Sequence, residues 1–334
     1  MPLEPEPSCA VIVAMPLPAT VGAPEITPDG EIVTPAGRPV AENVSVCPEL
    51  SFARTVSEIA ESSGQLWEAG GVTVITGCGL TVIVSDSDVR VGPDFLRAVV
   101  QPFSEAKVGG VTCLYRGLTD GGFAADLEAL GNSADFAPGV LVARLFGGLD
   151  FMLGAVMATT KKHLAEIGGF ESLADYFCDD YELGNRIAAR GYRVELSRFP
   201  VDIVYPRETI ADAFRHQLRW NLSIRYSRPW GHLGLIFSNA LPWAALVGAL
   251  VTWRVAAVYL AIALFFRIMV AISVGLRGMR DRLVRRDLWM LPVRDAFAFV
   301  VWLASFFPQR IHWRDRQFRV RDKRLIPVAR RELR

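Results

Sequence analysis

No two cysteines in this 334-residue chain stand at CxxC spacing, and the five present (Cys9, Cys47, Cys78, Cys113, Cys178) are odd in number and far apart. That pattern supports neither a disulfide framework nor a zinc site, and it predicts a fold facing a reducing compartment. Net charge is nearly missing as well: 36 basic against 35 acidic side chains leave a formal +1, which argues against a nucleic-acid partner. The N-terminus, "MPLEPEPSCAVIVAMPLPAT", lacks the basic start and unbroken apolar core of a signal peptide, so no export signal is predicted.

What the chain has in excess is apolar surface. Hydrophobic residues make up 51% and the mean hydropathy is positive, more than one soluble core requires, so part of the chain is expected to meet lipid. The balanced charge hides an asymmetry, with acids dominating the N-terminal part and arginines crowding the last third.

Residues 1–79 read as an unassigned, partly disordered extension. Proline and glycine punctuate the first forty, and only "SFARTVSEIAESSGQLWEAG" is loosely helical, through Phe52, Val56, Ile59 and Leu66. From about Gly71 the texture changes: "GVTVITGCGLTVIVSDSD" is β-branched, "PDFLRAVVQPF" is a helix opened by Pro93 and Asp94, and "VGGVTCLYRG" is a further strand. This is a βαβ-like unit. A buried strand is predicted over Gly154 to Thr159, then a helix from Lys161 to Ile167 stopped by Gly168 and Gly169. In "CDDYELGNRIAARGYRVELS", Leu183 and Ile187 mark a helix, Gly191 ends it, and a strand resumes. Asp179, Asp180 and Glu182 lie at that helix's N-terminus, where the backbone dipole favours acids even without a function. The soluble part is therefore expected to be α/β.

A helix of about five turns is predicted over 208–227, with Thr209 and Asp212 as a capping box and Ala211, Phe214, Leu218 and Leu222 as its apolar stripe. Its other faces carry Arg215, Arg219, Arg225 and Trp220, which suits a helix lying on a membrane or a packed helix with a solvated face. Leu233 to Thr252 is twenty residues without a charge, enough to span a bilayer. Val255 to Leu276 is nearly as apolar but holds Arg267, so it is a second span whose arginine faces protein or water, or a hairpin partner. The following "RGMRDRLVRR" piles up Arg277, Arg280, Arg282, Arg285 and Arg286, as expected of a cytoplasmic loop. Leu288 to Phe307 is long enough to cross once more, making two or three spans, but Pro292, Arg294 and Asp295 interrupt it, and it reads rather as a re-entrant or interfacial element. The expected division is a core over 80–230, membrane helices over 231–309 and a basic cytoplasmic tail over 310–334.

The strand "TVIVS" runs straight into Asp86 and Asp88. In an open α/β sheet, ligands bind beyond the carboxyl ends of strands, and two carboxylates on one tight turn suit a hard divalent ion that shares a substrate's phosphate oxygens. Solvated Asp-Ser turns are commoner than metal sites, so the pair acquires meaning only from its context.

That context is an ordered set: "SDSD" after a strand, "CDDYELGNRIAARGYRV" about ninety residues on, and "HQLRW" about thirty-five later. Together with the charge-free helix downstream, the set resembles the inverting, family-2-like glycosyltransferases of GT-A fold. More closely it is similar to the ceramide glucosyltransferase family and the related bacterial hopanoid-associated glycosyltransferases. The likeness covers roughly 80–320, and "SDSDVRVGPDFL", "MATTKKHLAEIGGF", "DDYELG" and "RDAFAFVVWLASFF" are its most specific pieces.

The resemblance implies a membrane-bound enzyme, facing the cytoplasm from a bacterial inner membrane, that moves a hexose or N-acetylhexosamine from a UDP-sugar to a lipid hydroxyl. By the same likeness Asp86 and Asp88 hold Mg²⁺ or Mn²⁺ on the donor diphosphate, and Asp180 is the base that deprotonates the acceptor. Asp179 would tune that base through like-charge repulsion. Arg219 and Trp220 match the RW of a (Q/R)xxRW signature that holds the leaving diphosphate and walls the acceptor site. His216 takes the place of its Gln or Arg.

Residues 1–79 carry none of the family's opening features: a membrane helix, a uracil-contacting acid or a first donor-site aspartate. Two alternatives follow. A processive polysaccharide synthase shares the aspartates and the RW but needs more spans, and a non-catalytic remnant would lack the uracil-binding half.

Overall fold

The computed structural model describes residues 11–15, 32–33, 39–41, 72–76, 81–86, 88–307, 311–313 and 316–327. The periodic segment around Phe52 to Leu66 and the turn residue Ser87 lie outside these.

In chain order the strands are β1 (Val11–Met15), β2 (Ile32–Val33), β3 (Pro39–Ala41), β4 (Val72–Thr76), β5 (Thr81–Ser85), β6 (Val89–Arg90) and β7 (Val108–Thr112). They continue with β8 (Tyr115–Thr119), β9 (Val156–Thr160), β10 (Arg193–Leu196), β11 (Val201–Tyr205), β12 (Ile311–Trp313), β13 (Arg316–Arg321) and β14 (Arg324–Pro327). The α-helices are α1 (Phe95–Val100), α2 (Phe123–Gly131), α3 (Ala137–Gly147), α4 (Lys161–Glu166), α5 (Asp179–Ala189) and α6 (Ile210–Ser227). After them come α7 (Pro229–Gly234), α8 (Ala240–Leu250), α9 (Trp253–Val270), α10 (Arg282–Asp287) and α11 (Leu291–Ala304).

These elements form two units. The first comprises Met1–Leu114, Gly148–Ala174 and Asp179–Val201. Its main sheet has the order β10-β7-β9-β5, with β10 parallel to β7 and β9 antiparallel to both its neighbours. Within the stretch read as an extension, β1 pairs in parallel with β4. All five residues of β7, "VGGVT", are buried, so no polar alternation shows in its sequence. Val111, Val156, Ala158 and Ile83 form the sheet's share of the core, and Leu183 and Ile187 of α5 supply the helical share. The close packing of α5 requires Gly184: a β-carbon there would lie 2.4 Å from the backbone of Phe151 and Met152.

The second unit comprises Tyr115–Gly147, Asp175–Cys178 and Asp202–Arg334. Leu127, Leu130 and Ala134 form its core with Ala271, Val284, Met290 and Leu291. Between α2 and α3 lies a π-helical turn, Asn132–Phe136, whose polar side chains all find partners in later parts of the chain. Asn132 Nδ2 donates to Tyr205 Oη (2.9 Å) and Ser133 Oγ to Asp281 Oδ2 (2.6 Å).

Several sequence-based expectations change here. Thr209 and Asp212 do form the capping box of α6, but the buried row of that helix is Ala213, Gln217 and Leu222 rather than Ala211 and Leu218. The face is rotated because Gln217, a polar residue, is drawn inward by buried hydrogen-bond partners, and Phe214 packs edge-on to Phe297 of α11 (6.2 Å). Arg225 bonds Ser305 O and lies over the Phe306 ring (5.4 Å), while Arg215 and Arg219 stay exposed. The charge-free run from Leu233 to Thr252 is not one straight helix. Asn239 caps α8 through Leu241 N (3.1 Å), and the helical segments Pro229–Ser238 and Ala240–Leu250 on either side of it meet at 59°.

Among the described residues one helix, Trp253–Gly278, is long and apolar enough to cross a membrane, with mean hydropathy 2.5; a second candidate exists only if the bent pair counts as one span. Arg267, the charge inside that helix, faces protein: it bonds Asp135 and Ala134 O, and its Nε donates to Asp295 Oδ1 (3.0 Å). The basic stretch after 310, read as a tail, contains a β12-β13-β14 antiparallel meander. It bridges Tyr176 to Arg324, and Phe177 N donates to Lys323 O (2.9 Å).

Candidate active site

In the first unit the site is built where β5 ends. Ser85 pairs with Val156 across the antiparallel β5–β9 ladder, its Oγ donates to Ala155 O (3.1 Å), and Asp86 N donates to the same carbonyl (3.3 Å). These bonds hold the chain as it leaves the sheet. Val89 N then donates back to Asp86 O (3.2 Å), closing a turn that presents Asp86 and Asp88, both exposed.

Asp180 reaches the same place from α5. A β-carbon at Gly154 would sit 3.3 Å from Asp180 Oδ2 and 3.9 Å from Asp86 Oδ2, so the two carboxylates flank one glycine. Any side chain at 154 would intrude between them. Asp180 Oδ1 accepts from Tyr181 N (2.7 Å), and Asp179 Oδ1 accepts from Asp180 N (3.0 Å), so both acids bond backbone N–H groups in the first turn of α5.

Burial, and after it the charge of Asp179, push the Asp180 carboxyl up to about 7, against the backbone N–H groups of Tyr181, Gly154 and Asp180 that hold it down. Asp179 still touches solvent, yet the protein atoms crowded around it desolvate its carboxyl and move it up as well. The like-charge effect expected from the sequence is therefore present but second to burial. A carboxyl that ionises near neutrality is suited to taking a proton from an alcohol.

Asp86 and Asp88 offer hard oxygens on an open turn, a donor set that fits Mg²⁺ or Mn²⁺. Among the described residues no three His, Cys, Asp or Glu side chains converge as a metal site, so most of an ion's coordination shell there would come from phosphate oxygens and water.

Residues 80–326 match the model of the family described as Glycosyl transferase family 21. This chain belongs to that family. The family 21 match begins one residue before β5 and ends within β14, so it takes in both carboxylate-bearing turns and the whole of α6. The chain is also similar to a solved mannosyltransferase from Pyrobaculum calidifontis in complex with GDP-Man and Mn²⁺, at 16% identity over 76% of this chain and 74% of that one, with a TM-score of 0.34.

The second unit carries the other residues singled out in the family 21 sequence. His216, Arg219 and Trp220 share successive turns of α6, with Arg219 exposed and the two rings half-buried. The His216 and Trp220 rings lie 4.5 Å apart, Trp220 meets Tyr115 edge-on at 6.3 Å, and Tyr115 stacks on Phe136 at 4.6 Å. This aromatic row fixes the Trp220 indole.

Sequence reasoning missed the acids behind His216. Glu128 of α2 has no exposed surface, and its Oε1 meets His216 Nδ1 at 2.6 Å and Gln217 Nε2 at 3.0 Å. Burial works to raise Glu128, but the bond from His216 and that ring's charge, with the bonds from Glu208 and Gln217, outweigh it and hold its carboxyl below the usual range. Glu208 moves the other way, pushed up to about 8 by burial and then by its bond to Glu128 and that group's charge. Only one signal pointed there: Glu128 stands between Leu127 and Leu130 on the apolar side of "FAADLEALG". Gly154 was likewise read as a strand residue, because a glycine's clearance from distant carboxylates leaves no local pattern.

Proposed function

We propose that this glycosyltransferase is a membrane-bound inverting enzyme that moves a hexose or N-acetylhexosamine from a UDP-sugar to a lipid hydroxyl of ceramide or hopanoid type. The observation that carries the reading is the approach of Asp86 and Asp180 to Gly154 from two different elements of the fold. One carboxylate belongs to a turn fit for a metal–diphosphate; the other is raised toward neutrality.

In this reading Asp180 accepts the proton of the acceptor hydroxyl as its oxygen attacks the anomeric carbon. The bond from that carbon to the phosphate oxygen breaks, and its electron pair departs with UDP from the opposite face, which inverts the centre. Asp86 and Asp88 would hold Mg²⁺ or Mn²⁺, which when bound offsets diphosphate charge. Arg219 would add a fixed cation for the leaving group, Asp179 keeps Asp180 basic, and Trp220 with His216 forms a wall.

Two features support a lipid acceptor and a bilayer setting: the Trp253–Gly278 helix, of which 6% of the apolar window is buried, and the arginine-rich segment that follows it, which suits a cytoplasmic side. A hydroxyl presented at that surface would meet a donor delivered from the cytosol.

The experiment is Asp180→Asn in the full chain reconstituted in lipid, assayed with UDP-hexoses and lipid alcohols. Transfer should fall at least about 1000-fold while UDP–Mn²⁺ binding by calorimetry stays within about threefold, the pattern of a lost base. Full turnover by Asp180→Asn removes that residue from the chemistry.

A further inference from the structure

A fully buried carboxylate in an apolar helix row is costly unless every oxygen is bonded. Glu128 meets that demand through His216 and Gln217 on Oε1, while its Oε2 and Glu208 Oε1 are both buried and lack a partner if both acids are ionised. A single proton between those two oxygens satisfies both. Arg294 closes the network from α11, donating from Nη2 to Gln217 Oε1 (3.1 Å) and from Nε to Asp135 Oδ2 (2.7 Å). Space for its guanidinium exists because residue 131 is glycine; a β-carbon there would lie 2.4 Å from Arg294 Cζ.

The histidine is what makes this network consequential. Gln or Arg at that place has one hydrogen-bonding form, whereas an imidazole has two distinct ring nitrogens and two ring faces, and a neighbour must choose between them. Resting on the reading that His216, Arg219 and Trp220 handle the leaving diphosphate, we propose that Glu128, sharing a proton with Glu208, is a positioning residue that locks His216 as an Nδ1 donor and thereby sets the ring against Trp220. Glu128 then accepts three hydrogen bonds, from His216, Gln217 and Glu208, and remains ionised. The direction of both acids' pKa agrees, low for Glu128 and high for Glu208. Arg294 from α11 and Asp212 from α6 also face the pair, and Tyr205 from β11 faces the His216 ring and Arg294; Asp135, Asp295 and Arg267 stand one bond further out.

The test uses the full chain in lipid nanodiscs with ¹⁵N-histidine, the His216 signal being assigned by its loss in His216→Gln. Near neutral pH the wild type should show Nδ1 protonated and immobile, and Glu128→Ala should show an Nδ1 proton in exchange and a mobile ring. An unchanged His216 signal in folded Glu128→Ala overturns the proposal. Should that variant fail to fold, Glu208→Gln decides, because its amide is a permanent donor in place of the shared proton. It should keep His216 locked and abolish the change expected of the wild type as pH rises through about 8. Persistence of that alkaline change overturns the shared proton.

A second readout is UDP–Mn²⁺ affinity across the cycle of Glu128→Gln and His216→Gln. Each single variant should weaken binding about tenfold, and the double no more than either. Additive losses would mean that Glu128 only supports the fold. Absence of any UDP binding by the wild type would sink the proposed function instead, leaving the imidazole spectra to judge the positioning.

Discussion

Asp86 and Asp180, ninety-four positions apart in the chain, each place an Oδ2 within 4 Å of where a side chain at Gly154 would begin. The glycine is therefore a spacer between two charged groups, and filling it should be felt by chemistry before stability. Gly154→Ala puts a methyl 3.3 Å from Asp180 Oδ2, tighter than ordinary contact, so the carboxylate must shift by a few tenths of an ångström. Turnover should drop about 10- to 100-fold, with thermal unfolding moved by no more than a few degrees. Wild-type turnover in Gly154→Ala would show that the two carboxylates need not act across that gap.

The raised Asp180 carboxyl makes an acid limb. Transfer should rise with pH through about 7, as the proposed base loses its proton, and Asp179→Asn should move that limb downward by removing the like charge. Stability has the opposite sign. A carboxyl that ionises later folded than unfolded destabilises the fold increasingly from the unfolded value near 4 up to about 7, and fully above it. Asp180→Asn should therefore raise the unfolding temperature at pH 8 and leave it nearly unchanged at pH 3, as thermal melts at the two pH values would show.

Arg267 is tied to Asp135 and Asp295 inside an apolar helix, its side chain 18% exposed. Removing it leaves two carboxylates short of a partner, although Asp135 keeps Arg294. Arg267→Met should cost about 3 kcal/mol of stability, while Arg267→Met combined with Asp295→Leu should recover part of that loss, because the unpaired charge goes with it. Equal destabilisation in the single and double variants would show the ion pair to be incidental.

The hairpin joining β13 to β14 turns on Asp322 (φ 51°) and Lys323 (φ 63°), both left-handed, as a two-residue type I′ turn requires. Lysine is strained there and glycine is not. Lys323→Gly should stabilise the hairpin by about 1 kcal/mol. The place to read it is hydrogen exchange at the Phe177 amide, which is bonded to Lys323 O; slower exchange in the variant is expected, and faster exchange would contradict the turn assignment.

Local signals reached far into this protein. The ends of α5 and α6 were legible because capping residues and glycine stops act on the backbone within one turn, as Thr209 with Asp212 shows. The β5 strand and its acidic turn were legible for the same reason. The buried face of α6 was not, since Gln217 becomes interior only because Glu128 and Arg294 wait for it. Nor was the break at Asn239: twenty uncharged residues satisfy a hydropathy criterion whether or not a capping side chain bends them.

Composition with strand and helix periodicity was enough to determine an α/β chain with an apolar C-terminal part, and the order of three short motifs carried a resemblance to glycosyltransferases, because each depends on residues near one another in sequence. Tertiary structure alone decided which acids meet. The approach of Asp86 and Asp180 to Gly154 rests on α5 settling against the backbone of Phe151 and Met152, and the partnership of Glu128 with His216 rests on α2 and α6 burying polar groups that neither helix could satisfy by itself. Such contacts are set by packing and desolvation between distant segments, and neither leaves a periodic trace in the chain.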